Sequence, residues 1–125
     1  MNFTKAGVIL NTENYRDCVD FYGSILGLPI LQQFGNGSDE ITVFSLGSSY
    51  LMVEHGGTAH PEGKSNSTCP TKFRFNVRDV DASASELREK GVALTVLHHD
   101  WGTTAEFSDP DGNRCALRSD EGFGS

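Results

Sequence analysis

The sequence predicts an α+β fold made of two βαβββ modules. Two helical stretches, one from Asn14 to about Leu26 and one from Asp81 to a stop at Gly91, are each preceded by one strand candidate and followed by three. Between the copies lies His55 to Pro70, rich in Gly, Ser and Pro, which reads as a linker. Module one therefore spans about residues 3–54, the linker 55–70 and module two about 71–119 of a single domain. The halves share little residue identity, so the repeat rests on the order and spacing of its elements.

In the first half, Ala6-Gly7-Val8-Ile9-Leu10 is a short apolar run and reads as a buried strand. Asn14 is placed to cap the helix that follows, and Gly27 to stop it. Tyr15, Cys18, Val19, Tyr22, Ile25 and Leu26 recur at helical spacing as one apolar stripe. Pro29 to Phe34, Glu40 to Leu46 and Tyr50 to Glu54 are the three strands, separated by turn signals at Gly35-Asn36-Gly37 and Gly47-Ser48.

In the second half, Thr71 to Val77 alternates, with Phe73, Phe75 and Val77 on one face and Lys72, Arg74 and Asn76 on the other. Asp81 is expected to cap the second helix, whose buried side is Val80, Ala84 and Leu87. Ala93 to His98, Thr103 to Ser108 and Asn113 to Arg118 complete the module, with a tight turn at Asp111-Gly112.

The chain has 125 residues and a formal charge of −7. That balance repels phosphate backbones, and the Lys and Arg residues are scattered, so nucleic acid is excluded as a partner. No apolar run is long enough to span a bilayer, and Met1 to Lys5 lacks the features of a signal peptide. Cys18, Cys69 and Cys115 are odd in number and widely spaced, which argues for a reducing cytoplasm, and they form no CxxC zinc pair. No Ser-His-Asp or Cys-His arrangement and no Gly-rich phosphate loop can be drawn, so no catalytic residue is assigned.

Three segments carry a resemblance. Asp20 to Leu28 (DFYGSILGL) resembles the end of the first helix in vicinal-oxygen-chelate proteins, the glyoxalase/bleomycin resistance protein/dioxygenase superfamily. Trp101 to Asn113 (WGTTAEFSDPDGN) resembles their terminal hairpin, and Val77 to Gly91 is similar to their second strand-to-helix junction. The match covers residues 3 to 119. The resemblance implies a curved mixed sheet around a shared cavity. Metal-dependent relatives would line it with His and Glu from the first and last strands of each half. Carried over, those positions fall on Gly7, on Met52 or Glu54, on Lys72 and on Ala116. At most one carboxylate survives, too few to hold a catalytic ion. A second set, Glu54, His55 and His60 with His98, His99 and Asp100, is a weaker candidate, because adjacent strand residues point to opposite faces. No metal and no cofactor are therefore expected.

Strand parity then gives the lining of the cavity. Lys72, Arg74 and Asn76 face it from one strand, Arg114, Ala116 and Arg118 from another, and Tyr50, Met52 and Glu54 from a third, with Ile9 and Asn11 beside them. Trp101 stands near the mouth as a flat surface for a ligand ring, or packs its own loop. Arg114, Arg118 and Glu54 either recognise a ligand or form ordinary rim ion pairs. The expected function is that of a metal-free small-molecule binding protein resembling the bleomycin-resistance type. The alternative is a metal-dependent glyoxalase-like lyase or isomerase, or a ring-cleaving dioxygenase. The basic lining favours a ligand with an aromatic or apolar body and an anionic group. Sheet edges that need cover predict a homodimer.

Overall fold

The computed structural model describes residues 1–124 and divides into two compact units, one of residues Met1–Pro61 and one from Glu62 onward. The first contains β1 (Gly7–Thr12), α1 (Tyr15–Asp20), a π-helical turn (Phe21–Ile25), β2 (Ile30–Phe34), a short 3-10 turn (Gly37–Asp39), β3 (Ile41–Leu46) and β4 (Ser49–His55). The second contains β5 (Phe73–Val77), α2 (Val80–Glu89), β6 (Thr95–His99), β7 (Gly102–Ser108) and β8 (Arg114–Ser119). Each unit forms one four-stranded sheet, in the orders β1-β4-β3-β2 and β5-β8-β7-β6. In each, the first and last strands pair in parallel and the other pairs are antiparallel. The two βαβββ modules are therefore the same arrangement twice.

α1 covers one face of the first sheet. Tyr15 Oη and Thr42 Oγ1 share a hydrogen bond of 2.6 Å, and the Tyr22 ring meets Phe44 with centroids 6.4 Å apart. Tyr22, Phe44, Leu51 and Val53 are fully buried there, and truncating Phe44 would cost about 3–5 kcal/mol. The expected helix to Leu26 is not α-helical throughout. Its second half widens into the π turn, where the Leu26 amide donates to the Phe21 carbonyl at 2.9 Å. The wider turn brings the adjacent Phe21 and Tyr22 both into the core, while Ile25 and Leu26 are only half-buried. Gly23 lies in this turn, where a Cβ would stand 3.2 Å from the Phe44 ring. Asn14 holds the N-cap position, its carbonyl accepting from the Cys18 amide at 2.9 Å, but its side chain makes no cap bond.

α2 buries Val80, Ala84 and Leu87 against a sheet face that includes Ala105, Cys115 and Leu117. Its cap is Asp79 and not the expected Asp81: the Asp79 carboxylate accepts from the Ala82 amide at 3.0 Å, so the helix begins two residues earlier. At the other end the Val92 amide reaches the Leu87 carbonyl and Gly91 the Arg88 carbonyl, both at 3.0 Å, with Gly91 at φ +90°. The β7–β8 hairpin is held from inside. Asp109 Oδ1 accepts the amides of Asp111 and Asn113, both at 2.9 Å, and Oδ2 accepts Asn113 Nδ2 at 2.8 Å. Lys64 ties the preceding segment to this hairpin through its amide to Gly112 O and its Nζ to Asn113 Oδ1. Cys18, Cys69 and Cys115 form no disulfide. No helix among the described residues is long and apolar enough to cross a membrane.

Candidate functional site

The sheet faces away from the helices carry the residues of interest. In the first unit, Gly7, Ile9 and Asn11 of β1 pair with Tyr50, Met52 and Glu54 of β4. Met52 and Glu54 pair in turn with Val43 and Ile41 of β3. Leu51 and Val53 are buried toward α1, whereas Tyr50, Met52 and Glu54 are half-buried on the other side. This face is apolar at its centre and has one carboxylate at one end. Ile9 remains exposed on it.

The corresponding face of the second unit is polar and cationic. Arg74 and Asn76 of β5 are exposed and pair with Ala116 and Arg118 of β8. Ala116 pairs with Glu106 of β7, and Arg118 with Thr104. Lys72, just before β5, reaches Glu106 at 3.1 and 3.2 Å to its two oxygens. Arg114 Nη2 donates to the carbonyls of Cys69 and Thr71 at 3.4 and 3.3 Å, while its Nε is buried without a partner.

Arg118 is only 4% exposed. Its Nη2 donates to Trp101 O at 3.0 Å and its Nη1 to Glu121 O at 2.9 Å, to Ser119 Oγ at 3.1 Å and to Ser119 O. Its guanidinium lies 5.0 Å from the Trp101 ring centroid and 5.3 Å from that of Phe123. Trp101 is stacked on His99, centroids 4.3 Å apart and planes 4° from parallel. Arg74 reaches the same Phe123 ring at 5.5 Å. His99, Trp101, Arg118, Phe123 and Arg74 thus form one continuous stack.

The residues singled out from sequence accordingly fall into two groups. Ile9, Asn11, Tyr50, Met52 and Glu54 share a face of the first sheet, and Lys72, Arg74, Asn76, Trp101, Arg114, Ala116 and Arg118 belong to the second unit. Glu106 and Phe123 were missed. The face of Glu106 follows only from its register opposite Ala116, and Phe123 lies beyond the strand repeat, where no pattern draws attention to it.

Residues 6–117 match the family model of the Glyoxalase/Bleomycin resistance protein/Dioxygenase superfamily. The chain belongs to this superfamily. The Bacillus subtilis (strain 168) protein YraH is 31% identical in an alignment of length 116 that covers 83% of this chain and 88% of YraH. Solved structures share the fold, among them the following two. TnmS3, an antibiotic binding protein from Streptomyces sp. CB03234, superposes with a TM-score of 0.71 at 24% identity over 95% of each chain. Lactoylglutathione lyase from Agrobacterium tumefaciens gives 0.72 at 15% identity over 96% of each chain.

Membership raises the question of whether this superfamily chain can hold a divalent ion. The residues at the four implied positions do not fit one. A Cβ on Gly7 would stand 2.4 Å from the Tyr50 ring, so the space a ligating side chain would need is filled. Lys72 is a cation already paired with Glu106. Ala116 offers no donor and is buried. Glu54 alone is a carboxylate. Among the described residues, no three His, Cys, Asp or Glu side chains are grouped so as to hold a metal. The second candidate set is also dispersed. His98 turns toward Asp81 of α2 at 3.9 Å while its neighbour His99 lies under Trp101, and His55 stacks on Tyr15 with centroids 4.4 Å apart.

Proposed function

We propose that this superfamily member binds a small organic acid with a flat apolar body, and that it holds the ligand without a metal and without reacting it. The observation that carries this reading is Arg74. Its side chain is exposed on the sheet face beside Asn76, and no carboxylate of the described residues pairs with it, whereas Lys72 is matched by Glu106. A planar guanidinium in that position suits a carboxylate, with two parallel N–H donors available. Burial of a flat ring beside Trp101 on the same unit would supply the remaining affinity. A cationic patch recruits anions despite the acidic net charge, because potential at a site is set by the nearest charges. The fold's occurrence in an antibiotic binding protein accords with a small-molecule role. The reading also includes a homodimer, in which a partner covers strand edges; sedimentation of a monomer at micromolar concentration would remove that part.

The test is calorimetric titration with 2-naphthoate against a planar cationic drug, together with elemental analysis of the purified protein. Naphthoate binding, its loss in Arg74→Ala, and no stoichiometric divalent metal are expected. Preference for the cation would sink the ligand class. One ion per chain whose removal abolishes a lyase, isomerase or dioxygenase activity would establish the enzymatic alternative instead.

A further inference from the structure

Phe123 occupies an unusual position for an exposed aromatic residue. The residue is about half exposed, at 51%, yet both neighbouring guanidiniums, Arg74 and Arg118, lie within 5.5 Å of its ring centroid. We propose that the space between Arg74 and Arg118 is an aromatic-ring slot, and that Phe123 is a displaceable occupant which an aromatic acid replaces. This rests on the acid-binding reading given above and adds where the ring goes.

Three features support exchange. First, the guanidinium of Arg118 is positioned independently of Phe123. It is fixed by the carbonyls of Trp101 and Ser119, by the Ser119 hydroxyl and by the Trp101 ring, so its position survives departure of Phe123. Second, the segment that carries Phe123 is weakly held. Beyond the Asp120 amide, which donates to Val77 O at 3.0 Å, it is held by a turn bond from the Phe123 amide to Asp120 O at 3.0 Å and by the Arg118 bond to Glu121 O at 2.9 Å. Gly122 and Gly124, at φ +72° and +65°, flank the ring with residues that tolerate backbone change. Third, the chemistry is matched. A ring is attracted to a guanidinium through its π face, and a ligand that brings a carboxylate as well would add a charge-assisted bond to Arg74 that Phe123 cannot make. Two exposed cation–π contacts together amount to about a tenfold shift in an equilibrium. An aromatic acid can overcome a competitor of that size.

Phe123→Ala and Phe123→Leu, each titrated with 2-naphthoate beside the wild type, test the slot. Removal of the competing ring should tighten naphthoate binding about tenfold in both variants. In wild-type protein carrying 4-fluorophenylalanine at position 123, naphthoate should shift and sharpen the fluorine resonance as the ring is released to solvent. Equal or weaker binding by the variants, or an unmoved fluorine signal when naphthoate binds, overturns the slot and leaves the acid-binding reading standing. No naphthoate binding by wild type or by either variant overturns both.

Discussion

The ring of Tyr50 lies directly over Gly7, its partner across the parallel β1–β4 pair. Any side chain at position 7 would meet that ring, since even a Cβ would come within 2.4 Å of it. The ring must therefore move if the residue changes. Overpacking of this kind costs about 1–3 kcal/mol. Gly7→Ala should lower stability by about that amount in wild-type protein and by clearly less in a Tyr50→Ala background, as measured in a double-mutant cycle by urea denaturation. Equal costs in the two backgrounds would show that the contact does not matter.

The buried Asp109 carboxylate organises the β7–β8 hairpin, accepting two backbone amides and the Asn113 side chain. Hydrogen bonds to a charged acceptor contribute more than neutral ones, and their loss strands buried donors. Asp109→Ala should destabilise the protein by about 3 kcal/mol, with hydrogen exchange at the amides of Asp111 and Asn113 accelerated. A loss below about 1 kcal/mol with unchanged exchange would mean that water replaces the carboxylate without penalty.

Arg118 acts on two fronts, bonding carbonyls on three residues and stacking on Trp101. A lysine ammonium carries charge but neither the planar fork nor the stacking face. Arg118→Lys should therefore behave much like Arg118→Ala: both lose about 2 kcal/mol, and both leave Trp101 more accessible to acrylamide quenching. Wild-type stability in the lysine variant would show that charge alone fills the role.

These relationships differ in how far they could be read from the sequence. The alternation of Phe73, Phe75 and Val77 with Lys72, Arg74 and Asn76 places the cations away from α2, because a period of two and an apolar face leave one solution. The repeated order of elements was legible for the same reason, since each module needs one helix to cover one sheet face. The π turn was not legible. Within it Gly23 lies against the ring of Phe44, about twenty residues away, a contact no local pattern announces. Nor was the cap at Asp79, because two aspartates flank Val80 and only the backbone shows which accepts the amide. Parity reads Arg118 as a ligand-facing cation, and the register pairs it with Asn76 and Thr104. Its burial beneath Trp101 and Phe123 depends on residues outside its own strand. The pairing of Lys72 with Glu106 needs the register of three strands at once, since Glu106 stands opposite Ala116 and Ala116 opposite Arg74.

That pairing yields the sharpest test of the acid-binding reading. Lys72 and Glu106 are each partly exposed, with side chains 33% and 39% accessible, so the pair adds under about 1 kcal/mol to stability. Its larger effect is on the local field. Glu106 cancels a cation on the face where Arg74 stands uncancelled, and itself repels an incoming carboxylate. Removing Glu106 frees Lys72 and deletes that repulsion. Both changes favour an anion, each by up to about 1 kcal/mol through solvent at these separations. Glu106→Ala should thus tighten 2-naphthoate binding about three- to tenfold, while Lys72→Ala and Arg74→Ala weaken it. The gain should shrink as salt is raised from 50 to 500 mM, because the Debye length falls toward the spacing of these groups at about 4 Å. Thermal denaturation should move little in Glu106→Ala, separating the binding effect from a folding one. Weaker naphthoate binding by Glu106→Ala would reverse the assigned sign of this face and point to a cationic ligand.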